Sequence, residues 1–153
     1  MKTLLMAAAG LLLMVGIGGG TTACVGESGN ASQGSGQASV GVSCDDFAKS
    51  NRISEKQEVP VGSSLTVSLC SNPTTGFRWE AAEVSDETVL QQTDHNMVMA
   101  TPEPPPPPGT AGKEVWTFKA LKTGTSTISI RYSRPWEGGE KGVWIFNLDV
   151  VVK

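Results

Sequence analysis

The chain predicts an all-β domain, a sandwich of two sheets built from about seven strands. Three observations carry this. Apolar residues alternate with polar ones over short runs, the period of a half-buried strand. Turn-forming clusters separate the runs: Val61-Gly62-Ser63, Lys122-Thr123-Gly124 and Glu137-Gly138-Gly139. No segment sustains a helical period; the nearest, Ala81 to Leu90, is short and interrupted by Ser85-Asp86.

Taken in order, Ile53 to Val59 is a weaker strand candidate, and Leu65-Thr66-Val67-Ser68-Leu69 is a clear one with its apolar residues on one face. Phe77-Arg78-Trp79-Glu80 alternates again, and Thr88 to Asn96 is a second weaker candidate. Lys113 to Phe118 puts Trp116 and Phe118 on one face. Thr125 to Tyr132 gathers Ile128, Ile130 and Tyr132. Val143 to Val152, the longest run, aligns Trp144, Phe146, Leu148, Val150 and Val152. Short strands at this spacing read as an immunoglobulin-like β-sandwich, with a small barrel as the competing closure. Trp79, Trp116 and Trp144 fall in strand patterns and are expected in the core.

The N-terminus reads as an export signal over residues 1–23. Lys2 supplies the positive end, and the apolar run Leu4 to Ile17 is too short to span a bilayer comfortably. Gly18-Gly19-Gly20-Thr21-Thr22-Ala23 then leads to Cys24, an arrangement that resembles a bacterial lipobox with Thr21 where leucine is usual. Lipidation of Cys24 would anchor the protein at the outer face of a cell membrane. Ordinary cleavage would leave it secreted or periplasmic. Residues 24–40, rich in Gly, Ser, Gln and Asn, read as a flexible tether, and residues 41–153 as one folded domain. Loss of Lys2 with the signal takes the formal charge from −3 to −4, an acidity that argues against a nucleic-acid partner.

With Cys24 lipidated, Cys44 and Cys70 remain as a pair in an oxidising compartment. A bridge would close a loop of about 25 residues, worth roughly 3 kcal/mol in the chain-entropy model. Leu65, Val67 and Leu69 share a face, so Cys70 turns to the other one. That geometry counts against a bridge and leaves one only on the outer face or at the strand end; the bridge is the favoured reading, and two buried free thiols are the alternative.

No catalytic set is visible, so the chain does not read as an enzyme. His95 is the only histidine and has no nucleophile near it in sequence; it reads as a surface or packing residue. The carboxylates scatter over turns and strand ends, with no metal-ligand spacing and no phosphate-binding glycine loop, so no metal or other cofactor is expected.

What remains are three loops. Asn72-Pro73-Thr74-Thr75-Gly76-Phe77 is uncharged, with a proline that fixes one backbone angle and a glycine that permits an unusual one. It reads as a stiff loop built to be presented. Thr101 to Gly112 carries Pro102, the run Pro104 to Pro108, then Gly109-Thr110-Ala111-Gly112. A loop that long in so small a domain is more often functional than idle. Ser133-Arg134-Pro135-Trp136-Glu137-Gly138-Gly139 places a tryptophan beside an arginine in a loop, the composition of an interface hot spot. A cap folded back on the sandwich is the blander role for Trp136.

In their order between strands, Asn72 to Phe77, the glycine-containing loop and Arg134-Pro135-Trp136 resemble the chagasin family of cysteine-protease inhibitors over the region from roughly Cys44 to the C-terminus. The family usually has Gly-x-Gly-Gly in the middle loop, where this chain has Gly109-Thr110-Ala111-Gly112. The resemblance implies an immunoglobulin-like sandwich that presents the three loops side by side to the cleft of a papain-like cysteine protease. It places Thr74 and Thr75 at the tip of a central wedge against the catalytic cysteine and histidine. Pro73 and Gly76 hold that tip, and Asn72 braces it. It sets Gly109 to Gly112 along the non-primed side, and Arg134 and Trp136 on the opposite side. A monomer is expected. The other reading is an immunoglobulin-like cell-surface module for a different protein or glycan; the two differ only in what the loops meet.

Overall fold

In the computed structural model, residues 36–99, 107 and 109–153 are described. The export signal, Cys24, most of the tether and nearly all of the proline run lie outside them. The first element corrects the domain boundary. Strand β1 spans Gln37–Val42, so the last residues assigned to the tether belong to the sheet. Ala38, Val40 and Val42 alternate with Gln37, Ser39 and Gly41, and this thin apolar stripe packs on the core.

A short helix also forms where no helical element is expected. Helix α1 spans Cys44–Lys49, too short to show a period in the sequence. Its start is fixed by a capping box: the Ser43 hydroxyl accepts from the Asp46 amide, and the Asp46 carboxylate accepts from the Ser43 amide. The hydrogen bonds from Ser43 hold the Asp46 carboxyl below its ordinary value of 3.8.

The remaining strands are β2 (Arg52–Val59), β3 (Ser64–Ser71), β4 (Arg78–Trp79), β5 (Glu83–Val84), β6 (Leu90–Val98), β7 (Gly112–Ala120), β8 (Gly124–Ser133) and β9 (Trp144–Val152). That is nine among the described residues against about seven expected; β1 and β5 were not anticipated. One sheet runs β1-β3-β7-β6, the other β2-β9-β8-β4, with β5 also on β8. β1 lies parallel to β3 and β2 parallel to β9, while the other pairings are antiparallel.

The two sheets face each other as a sandwich. Leu65, Val67, Leu69, Trp116 and Phe118 from the first meet Ile128, Ile130, Phe146, Leu148 and Val150 from the second, all fully buried. Each such side chain contributes about 1.5–3 kcal/mol relative to exposure. Toward one end the core becomes aromatic: Phe47 of α1 stacks on Trp144 at 4.8 Å, and Trp144 stacks on Tyr132 at 4.8 Å. Trp79 meets Tyr132 at 4.9 Å and donates its indole N–H to the Cys70 carbonyl. Trp79 and Trp116 are buried as expected, whereas Trp144 is only partly so.

Cys44 and Cys70 are joined in a disulfide with their Cα atoms 5.1 Å apart. Cys70 does turn away from the Leu69 face, and it is buried nonetheless. The bridge fastens the start of α1 to the end of β3, immediately before the first of the three loops.

Candidate functional site

The three loops connect β3 to β4, β6 to β7 and β8 to β9, and they meet one another. The first loop is a single 3-10 turn, Pro73–Thr75, with Pro73 at its start, where a missing N–H costs nothing. Asn72 caps it: Oδ1 accepts from the Thr74 amide at 3.3 Å and from the Thr74 hydroxyl at 2.6 Å. The Asn72 carbonyl accepts from the Thr75 amide at 3.2 Å and from the Thr75 hydroxyl at 2.7 Å. Both hydroxyls are therefore already bonded within the turn, and Thr74 and Thr75 are both exposed.

Gly76 closes the turn at φ +80, a left-handed conformation that suits glycine. It is required a second time by its neighbour. A Cβ at this position would lie 2.9 Å from Cη2 and 3.4 Å from Cζ3 of Trp136, so the outer edge of the third loop's indole rests against the first loop's glycine. Trp136 is nevertheless 51% exposed. Arg134 strengthens the same junction. Its guanidinium lies 4.4 Å from the centroid of the Phe77 ring and 5.7 Å from that of Trp136, and it is paired with Glu140 at 3.1 Å. The Lys141 ammonium donates to the Arg134 carbonyl at 2.6 Å, and the Arg134 amide to the Glu140 carbonyl at 2.8 Å, so the third loop is tied across its base. Pro135 is exposed between its two neighbours.

The middle loop joins from the other side. The Asn72 side-chain amide donates to the Gly109 carbonyl at 2.9 Å. Gly109 takes φ +90, and the amide and hydroxyl of Thr110 both donate to the Pro107 carbonyl, which folds the tip into a turn. Thr110 and Ala111 are half-buried. Gly112 begins β7 directly against β6, where a Cβ would lie 2.8 Å from the Val98 carbonyl oxygen.

Among the described residues the first loop joins the other two, with Asn72 reaching Gly109 of the middle loop and Gly76 and Phe77 reaching Trp136 and Arg134 of the third. No sequence signal marks Tyr132 as a partner of these loops. Its hydroxyl accepts the Asn72 amide at 2.9 Å, a tie from the aromatic core to the root of the first loop. Chemically the cluster offers shape, two exposed threonines, a half-exposed tryptophan and a cation. Among the described residues no group of three or more His, Cys, Asp and Glu side chains is placed to hold a metal ion.

Residues 58–150 match the family described as chagasin family peptidase inhibitor I42, which is more than half of the chain. Amoebiasin-2 of Entamoeba histolytica is similar at 29% identity over 112 residues, covering 70% of this chain and 89% of that protein. The crystal structure of the cysteine protease inhibitor EhICP2 from Entamoeba histolytica shares the fold, with TM-score 0.60 at 22% identity over 78% of this chain and 100% of that one. So does PbICP-C, solved in complex with falcipain-2, with TM-score 0.55 at 19% identity over 78% of this chain and 100% of that one.

Proposed function

We propose that this chain, which belongs to the chagasin family of peptidase inhibitors, reversibly inhibits papain-like cysteine proteases by filling the active-site cleft with its three joined loops. The observation that carries the mode of action is the double junction of the first loop, by Asn72 to Gly109 and by Gly76 to Trp136. The loops are set against one another before any partner arrives, so little entropy is lost on docking and more of the contact energy becomes affinity.

In this reading Thr74 and Thr75 are the tip that meets the catalytic cysteine and histidine, held by Asn72, Pro73, Gly76 and Phe77. Gly109, Thr110, Ala111 and Gly112 lie along the non-primed side, and Arg134, Pro135 and Trp136 along the other. The tip would resist cleavage for a geometric reason. A 3-10 turn whose carbonyls at Asn72 and Pro73 are already hydrogen-bonded is not an extended segment. It does not bring a peptide carbonyl into line with an attacking thiolate.

The chain acts in this reading as an inhibitor rather than an enzyme, as a monomer, without metal or cofactor. Export follows from the residues of the N-terminal segment, with Cys24 as the lipid attachment that would hold the domain at a membrane surface. Replacing Thr75 with arginine tests the wedge. We expect Thr75→Arg to raise the inhibition constant for papain by roughly a hundredfold, about 2.7 kcal/mol, with the thermal transition unchanged within a few degrees. An unaltered inhibition constant in the folded variant would contradict the assignment and favour a different ligand for the loops.

A further inference from the structure

Beneath the loops lies a charged group that no role so far accounts for. Glu114 of β7 faces inward with Trp116 and Phe118 and is buried, 5% exposed. An inward carboxylate is costly unless its oxygens are bonded. Both are: Oε1 accepts from the Ser71 hydroxyl at 2.8 Å, and Oε2 lies 3.0 Å from His95 Nε2. His95 in turn stacks on Trp116, with ring centroids 4.5 Å apart and planes 9° from parallel.

The three residues stand at the roots of two loops. Ser71 ends β3, immediately before Asn72, and pairs across the sheet with Gly112. Glu114 sits just inside β7, where the middle loop ends, and His95 sits in β6, the strand that leads into that loop. One carboxylate therefore ties the first loop's root to both strands that carry the middle loop. The bridge supplements the backbone pairing of β3 and β6 with β7, and it borders a cleft of about 370 Å³ lined by Pro73, Arg78, Trp79, His95, Met97 and Glu114.

We propose that Glu114 is a positioning residue for inhibition: its carboxylate, bridged to Ser71 and His95, holds the first and middle loops in their joined arrangement. The inference rests on the inhibitor reading for its consequence but has a consequence of its own in the free protein. Glu114→Leu removes both bonds, Ser71→Ala removes one with little change of volume, and Glu114→Gln keeps an acceptor for Ser71 and a donor for His95.

Two measurements decide it in the full-length domain. The first is hydrogen exchange of the Thr75 and Gly76 amides, which close the turn. The second is the inhibition constant for papain. We expect Glu114→Leu to speed exchange and weaken inhibition about ten- to a hundredfold, the factor carried by hydrogen bonds to a charged group, and Ser71→Ala to do so about three- to tenfold. Glu114→Gln should restore both to within about threefold. Should Glu114→Leu fail to fold, Ser71→Ala decides. Unchanged exchange in the folded variants overturns the proposal, as does unchanged inhibition where exchange has quickened. Absence of inhibition by the wild-type domain would instead strike the inhibitor reading, while the exchange experiment still judges the bridge.

Discussion

Gly76 meets two separate demands, and they can be pulled apart. Its φ of +80 disfavours any side chain, and Trp136 occupies the space where a Cβ would go. Gly76→Ala should therefore destabilise the domain by about 1–2 kcal/mol through the backbone alone. It should also weaken papain inhibition by more than that loss explains, because the displaced indole takes the third loop with it. Thermal denaturation and inhibition assays on the same variant separate the two effects. Trp136 itself is the converse case. With half its surface free it contributes little to folding, but as an interface anchor it should be worth about 2 kcal/mol or more. Trp136→Ala is expected to raise the inhibition constant roughly thirtyfold while the thermal transition stays within a few degrees. A large thermal loss would make Trp136 chiefly a structural cap.

At the scale of elements, the strands with strict alternation were legible in the sequence because each buries one face of a single core. The elements that escaped are those whose cause is not periodic. β1 hides in a Gly- and Ser-rich segment and exists because it finds the edge of β3, a partner more than twenty residues away. α1 is too short for a period, and only the Ser43 to Asp46 spacing marked its start. The loops were legible as motifs, but the contacts that join them were not, since Asn72 meeting Gly109 and Gly76 meeting Trp136 depend on where distant strands end. One sequence signal for the bridge beneath them was available: Glu114 stands on the same alternating face as Trp116 and Phe118, a charge where an apolar residue is expected. The disulfide belongs to this scale too. It joins α1 to the strand that carries the first loop, and replacing Cys44 and Cys70 together by alanine should cost about 2–4 kcal/mol in denaturant unfolding. A loss well below 1 kcal/mol would mean that packing of Phe47 against Trp144 and Trp79 already fixes the helix.

As a whole, the molecule divides its work between a sandwich that supplies rigidity and one cluster of loops that supplies shape. Nothing in the cluster needs to react. The turn at Pro73–Thr75 is internally bonded, its neighbours are set against it, and a cation and a half-exposed tryptophan flank it. The central claim is thus that the domain occupies a papain-like active site without being consumed there. Titrating active-site-counted papain with the purified domain, and then weighing the recovered inhibitor by intact mass after prolonged incubation, tests it directly. We expect linear loss of activity to an endpoint at one domain per enzyme, recovery of activity on dilution, and an unbroken chain through residues 72–77. Full protease activity at micromolar domain, or cleavage within that loop in step with returning activity, would contradict it.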